Sequence, residues 1–274
     1  MKTHDPYPQE IFVSRILVTG SSDGIGLESA RQLLAAGHDV VGHARSTARA
    51  AELRAAAPGV SDVLVGDLAS LAETRDLAAS AAVAGPFDAV IHNAGVGGGV
   101  AARAVTSDGI ERIFHINVVA PYLLTALMPR PRRLVYLTSG LESQGHVDLG
   151  DLQYAARAWD GMAAYSDSKL CDVVLAFAVA RRWPDVLATT VDPGWIKTKL
   201  GGPQAWDEVD DGAATQVWLA ASDDAAARTT GRYIKRFEVQ AANPEASDVE
   251  VQDGLLARLA ELTGVELPLT RTAA

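Results

Sequence analysis

Arg15-Ile16-Leu17-Val18-Thr19-Gly20-Ser21-Ser22-Asp23-Gly24-Ile25-Gly26 is the stretch whose reading decides the fold. Its first half is a short apolar run of the kind that forms a buried parallel strand. Its second half is a glycine-rich turn. Beyond it, Leu27, Ala30, Leu33 and Leu34 recur at helical spacing up to a stop at Gly37. Strand, glycine turn and helix in this order are the setting in which glycines hold a dinucleotide. The first glycine lets the chain turn sharply, the middle one lets the backbone approach a pyrophosphate, and the last allows close helix packing. The helix N-terminus then offers free N–H groups and a partial positive charge to the phosphates. The spacing is Gly-x-x-x-Gly-x-Gly rather than Gly-x-Gly-x-x-Gly, so the turn needs support from the rest of the chain.

That support comes from the pattern outward. Strands are expected at 39–44, 62–66, 88–92, 133–137, 186–191 and 231–234, separated by helices at about 47–57, 67–85, 108–127, 165–183 and 208–221, with a last amphipathic helix at 249–263. Short apolar strands alternating with helices of this length make βαβ units and a parallel sheet. In such sheets ligands sit beyond the carboxyl ends of the strands. There the chain places Asp67-Leu68, Asn93-Ala94-Gly95, Thr138-Ser139-Gly140 and Asp192-Pro193-Gly194-Trp195. Gly97-Gly98-Gly99 reads as flexible, and Gly201-Gly202-Pro203 marks a loop suited to close over a ligand. Residues 1–14 read as a lead-in, and 15–274 as one domain with substrate loops at 141–163 and 195–207.

Tyr165-Ser166-Asp167-Ser168-Lys169 opens the helix after the irregular segment 141–163. Positions four apart on a helix share a face, here one that differs from the apolar stripe Leu170, Val173, Val174, Phe177 and Ala178. An ammonium held near a phenol favours the tyrosinate form, which makes the tyrosine usable in acid–base chemistry. Asn117 lies inside the long helix at 108–127, where asparagine needs a structural or functional partner. Glu111 and His115 on the same helix read as surface or interface groups, and nothing fixes the direction of Glu142 or His146.

The 274 residues suffice for one large α/β domain, and 48% hydrophobic with 21% charged residues is ordinary for a globular protein. A net charge of -10 argues against nucleic acid or an anionic membrane surface as the main partner. Cys171 is the only cysteine, which excludes an intrachain disulfide and reads as a small buried residue. The six histidines show no ligand spacing for a metal. Residues 1–10 carry no secretory h-region, and no apolar run is long enough to span a bilayer, so a cytoplasmic protein is expected.

Thr19-Gly20-x-x-x-Gly24-Ile25-Gly26, Asn93-Ala94-Gly95, Asn117, Ser139, Tyr165-x-x-x-Lys169 and Pro193-Gly194, in this order, resemble the short-chain dehydrogenase/reductase family over about residues 15–240. The long interval from Ser139 to Tyr165, Asp151-Leu152-Gln153 within it, Ser168-Lys169-Leu170 and Pro193-Gly194-Trp195-x-x-Thr198 are similar to its retinol dehydrogenase and WW-domain oxidoreductase branch. His92 and Thr138 depart from frequent family residues without touching a catalytic position. The resemblance implies a doubly wound Rossmann-type α/β domain with a mostly parallel seven-stranded sheet and helices on both faces. It implies Tyr165 as acid/base, Ser139 bonded to the substrate oxygen, Lys169 acting on Tyr165 and the nicotinamide ribose, and Asn117 holding a relay water. It further implies a cofactor held by Gly20, Ser22, Asp23, Gly24, Ile25 and Gly26 at the phosphates, and by Asp67 and Leu68 at the adenine. Asn93, Ala94 and Gly95 fall at the ribose, and Pro193, Gly194, Ile196 and Thr198 at the nicotinamide end. Homodimers or homotetramers are common in the family.

At the end of the second strand an NAD enzyme normally places an acid for the ribose 2′-hydroxyl. Here Ala44 is followed by Arg45, which can grip a 2′-phosphate or be a solvated surface residue, and Asp23 adds opposing charge nearby. The expectation is an NADP-dependent oxidoreductase acting on a small carbonyl or alcohol substrate, with NAD possible as cofactor. The alternatives are a catalytically silent NADP(H) sensor, against which the intact Ser139, Tyr165 and Lys169 count, and an interaction scaffold, for which no exposed motif exists.

Overall fold

The apolar runs become the strands of one sheet in a computed structural model that describes residues 13–269. They are β1 (Arg15–Val18), β2 (Asp39–Ala44), β3 (Asp62–Val65), β4 (Ala89–His92), β5 (Arg133–Leu137), β6 (Leu187–Asp192) and β7 (Arg232–Lys235), all parallel. The order is β3-β2-β1-β4-β5-β6-β7, so the winding reverses between β1 and β4. Register places Leu17 between Val41 and Val90. Alternate β1 residues serve opposite cores, Ile16 and Val18 on one face and Leu17 on the other, which is why the run is apolar at every position from Ile16 to Val18. The expected lead-in lies, except for Val13 and Ser14, outside the described residues.

The sheet has eight strands rather than seven. β8 (Glu238–Gln240) pairs antiparallel to β7, with Val239 opposite Ile234. The turn between them holds Arg236 and Phe237 at φ 49° and 67°, positions where glycine or asparagine usually announces a hairpin. With neither present, and with β8 exposed throughout, no pattern marked it.

Helices α1 (Gly24–Ala35) and α7 (Val209–Ala221) cover one face, and α3 (Leu71–Ala84) and α6 (Gly161–Arg182) the other, with α8 (Val249–Thr263) packed on α6. On the outer part of the sheet, α2 (Thr47–Ala56) packs Ala50 and Leu53 against Ala44 and Val63. The long helix expected at 108–127 starts later and is interrupted. Val105 bridges Glu111, and only then come α4 (Arg112–Phe114), a wider π-turn (His115–Val119) and α5 (Ala120–Leu127). Glu111 and His115 are buried, not on the surface. The Glu111 carboxylate caps α4, accepting from the Ile113 and Phe114 N–H groups at 2.9 and 2.7 Å. His115 Nδ1 bonds the Thr106 hydroxyl at 3.0 Å. Helix α6 begins at Gly161, a turn before Tyr165, because Asp160 accepts from the Met162 and Ala163 N–H groups. Its Tyr165–Lys169 face is also buried, since the loop after β4 lies on it: a Cβ on Gly98 would sit 2.6 Å from Tyr165 Cβ. Gly98 is thus a close-approach residue, not a flexible one. Among the described residues no helix is long and apolar enough to cross a membrane, and no cluster of ligands fits a metal.

Candidate active site

Every residue expected to touch cofactor or substrate, Asn117 excepted, lines one cavity of about 1260 Å³ at the carboxyl end of the sheet. It opens where the winding reverses, the place such sheets leave a crevice.

The glycine turn forms its floor. Gly20 and Gly24 adopt φ 62° and 52°, and a Cβ on Gly26 would lie 2.3 Å from Asn93 Nδ2 and 2.4 Å from the Gly20 carbonyl. Only bare backbone fits, and Gly24, Ile25 and Gly26 at the N-terminus of α1 line the cavity, so the residues present suit a dinucleotide pyrophosphate. Asn93 holds the turn from behind, donating its amide to the Thr19 and Gly20 carbonyls at 2.9 and 3.2 Å. His43 supports it from β2: Nδ1 accepts from the Gly20 N–H at 3.0 Å, and Nε2 lies 2.9 Å from the Gly66 carbonyl. These contacts require the neutral tautomer with hydrogen on Nε2, and burial pushes the imidazole below its ordinary value. Sequence reasoning missed His43, since a histidine in a strand of apolar residues carries no signal of its own.

At the mouth beside β2, Arg45 is exposed and faces the cavity. A second cation missed in the sequence, Arg49 on the first turn of α2, joins it there. Its guanidinium lies 3.3 Å from the Ser22 carbonyl and 3.4 Å from Asp23, and pairs with Glu52. The four-residue step from Arg45 was the available clue. Asp23 caps α1 through the Gly24 N–H at 2.9 Å and pairs with Lys199, which with Arg49 holds its carboxyl below the usual range.

Further along the same cavity lie Ser139, Tyr165 and Lys169. Ser139 Oγ accepts from the Leu141 N–H at 3.3 Å, which leaves its hydroxyl hydrogen for another partner. Lys169 Nζ donates to the Leu137 carbonyl and to Asp172 Oδ2, each at 2.8 Å, and lies 6.0 Å from the centre of the Tyr165 ring. Asn117 anchors the loop above. Its Oδ1 accepts from the Val96 N–H at 2.9 Å, and its Nδ2 donates to the Val96 carbonyl and to Ser168 Oγ. The π-turn, a frequent mark of functional helices, aims this side chain across to α6.

The remaining wall is apolar: Leu141, Met162, Trp195, Leu200 and Trp206. Trp195 and Trp206 meet edge to face at 4.6 Å, with Trp206 64% exposed. The cations on this side are neutralised, Lys235 by Asp192 and Arg236 by Asp207, both at 2.8 Å. Glu142 and His146 turn away from the cavity, to Asn243 and Glu245 respectively.

A dinucleotide cradle ending in a serine, a tyrosine and a buried lysine defines a nicotinamide-dependent oxidoreductase. The family model for short chain dehydrogenases matches residues 14–208. The short-chain dehydrogenase chyC of Penicillium rubens is 40% identical, over 93% of this chain and 100% of that protein. Human retinol dehydrogenase 13 is 30% identical, over 93% of this chain and 86% of its own. Among solved structures, a blue fluorescent protein from a metagenomic library in complex with NADPH superposes with a TM-score of 0.63 at 28% identity, covering 83% of this chain and 97% of that one. The chain belongs to the short-chain dehydrogenase/reductase family, in its retinol dehydrogenase-like branch, and is an NAD(P)-dependent enzyme acting on a small molecule.

Proposed function

We propose that the protein is an NADP(H)-dependent carbonyl/alcohol oxidoreductase with Tyr165 as its acid/base. The observation that carries this is the shared cavity: Tyr165 and Ser139 line the apolar end, while Arg45 and Arg49 line the end where the adenosine ribose would lie. Bound nicotinamide supplies the hydride or accepts it. In the reducing direction the Tyr165 hydroxyl gives its proton to the carbonyl oxygen, and in the oxidising direction the tyrosinate recovers one from the alcohol. The Ser139 hydroxyl donates to the same oxygen and orients it. Lys169, with two hydrogens committed to Leu137 and Asp172, keeps the third for the ribose and lends its charge to the phenolate.

The ring-lined entrance suits an uncharged, apolar ketone or secondary alcohol. An acidic substrate would find no unpaired cation among Lys235 and Arg236, and burying apolar substrate surface against Trp195 and Trp206 contributes about 25 cal/mol per Å². The test is NADPH oxidation across a panel of ketones, aldehydes and quinones, followed by Tyr165→Phe on the best substrate. Removing the transferable proton should lower kcat by roughly 10²–10⁴-fold, with cofactor affinity within a few-fold of wild type. A Tyr165→Phe enzyme at near-full kcat would remove Tyr165 from the chemistry.

A further inference from the structure

One buried carboxylate next to the reactive groups enters the mechanism above only as a hydrogen-bond acceptor, and its charge has a further role. Asp172 lies one helical turn beyond Lys169 and is 2% exposed. Its Oδ2 accepts from Lys169 Nζ at 2.8 Å, on the core side of the ammonium. On the other side, Nζ looks to the cofactor loop: a methyl on Gly95 would lie 3.5 Å from it. Lys169 is therefore strung between a fixed anion in the core and the cavity, with the Tyr165 ring 6.0 Å away.

We propose that Asp172 is a positioning residue for catalysis: its carboxylate seats the Lys169 ammonium and offsets its charge, so that only part of the lysine's field reaches Tyr165. A buried ion pair of this kind is a poor source of stability, because desolvation consumes most of the attraction. It does hold an ammonium in one geometry at low local dielectric, where its neighbours feel it strongly. Burial pushes the Asp172 carboxyl up to about 6, against the pull of Lys169. The other titratable groups around the pair leave it in control. Tyr136 on β5 is pushed above its ordinary value by burial and stays neutral, bonded to Thr125. His92 on β4, stacked on Tyr136, is pushed down to about 3 and is neutral as well. Burial pushes the Cys171 thiol up. Glu142 turns to Asn243, Asp192 to Lys235 and His115 to Thr106.

Because this rests on the Tyr165 mechanism proposed above, Tyr165→Phe is the control: if it stays active, that mechanism fails and takes the role of Asp172 with it. With Tyr165→Phe inactive, the decisive comparison is the pH dependence of carbonyl reduction in wild type and Asp172→Asn. The amide keeps an oxygen for Lys169 to donate to and removes only the charge. The tyrosinate is then favoured more, so the high-pH midpoint of the rate profile should fall by about one pH unit. An unchanged midpoint in a folded, cofactor-binding Asp172→Asn enzyme would show the carboxylate to be structural only. Should that variant not fold, the wild type decides. The ¹³Cζ resonance of Tyr165, assigned through Tyr165→Phe, should step at the pH where the Asp172 carboxyl carbon itself titrates, because the two groups share Lys169. A Tyr165 resonance that does not move while the Asp172 carboxyl carbon titrates would overturn the proposal.

Discussion

Replacing Arg45 by alanine should change which cofactor the enzyme prefers. Arg45 follows Ala44 at the end of β2, is exposed, and makes no ion pair among the described residues, so its guanidinium is available to a 2′-phosphate. Two unit charges 4 Å apart attract by ~1 kcal/mol in bulk water and ~4 kcal/mol at the effective dielectric of a protein surface. A charge-assisted hydrogen bond falls within that span, at roughly 1.5–3 kcal/mol. Taking about 2 kcal/mol for an exposed site, Arg45→Ala should weaken NADP(H) binding by roughly 30-fold and leave NAD(H) binding unchanged. Arg49 is different, because it must first leave Asp23 at 3.4 Å and its contact with Glu52. One ion pair is exchanged for another, so Arg49→Ala should cost less than about fivefold. Asp23→Asn keeps an oxygen for the α1 cap and releases Arg49, so it should tighten NADP(H) binding several-fold. Calorimetric titration of both cofactors into the four proteins reads all of this. Equal wild-type affinities, or a preference untouched by Arg45→Ala, would refute the assignment and leave Arg45 a solvated surface residue.

Gly26→Ala should abolish cofactor binding and lower the melting temperature, because the added Cβ meets Asn93 Nδ2 at 2.3 Å and the Gly20 carbonyl at 2.4 Å. Overpacking of this kind costs about 1–3 kcal/mol, and a thermal melt matching wild type would contradict the packing described. For His92, burial lowers the folded value to about 3 from an unfolded value of about 6.5. The stability held by the neutral ring is therefore complete above about pH 6.5 and is lost as pH falls toward 3, at about 1.4 kcal/mol per unit. Asp172, raised to about 6, acts with the opposite sign over part of that window, so the total slope can be shallow. The informative quantity is the difference between wild type and His92→Asn in denaturant melts from pH 7 to 4, which should shift in the variant's favour with acid. Trp206→Ala should raise KM for apolar substrates with little effect on cofactor affinity, since Trp206 packs edge-on against Trp195 at the apolar wall. Steady-state kinetics check this.

Within the sequence, the strand, glycine turn and helix at 15–35, the parallel order of apolar runs and the residues at each strand's carboxyl end were legible. Each is a statement about chain neighbours: periodicity, a positive φ, a cap three residues away. Such signals survive without knowing what lies across the core, and the residues that the family resemblance implied for the site, Asn117 excepted, fall on one cavity. Tertiary structure decided the rest. The β7–β8 hairpin turns without glycine, and pairing to β7, with Arg236 on Asp207 and Phe237 against Trp218, holds those two residues in the left-handed region. Glu111 and His115 look like surface groups until capping and the Thr106 contact bury them. His43 beneath Gly20, Arg49 beside Asp23 and Asn117 against Val96 join residues more than twenty positions apart. Asp172 shows the division most sharply. It is three residues from Lys169 and would read as an ordinary surface ion pair on an isolated helix. It becomes the buried partner of Lys169 because the sheet and the loop after β4 close over that face of α6, and desolvation is a property of the assembled fold rather than of the chain.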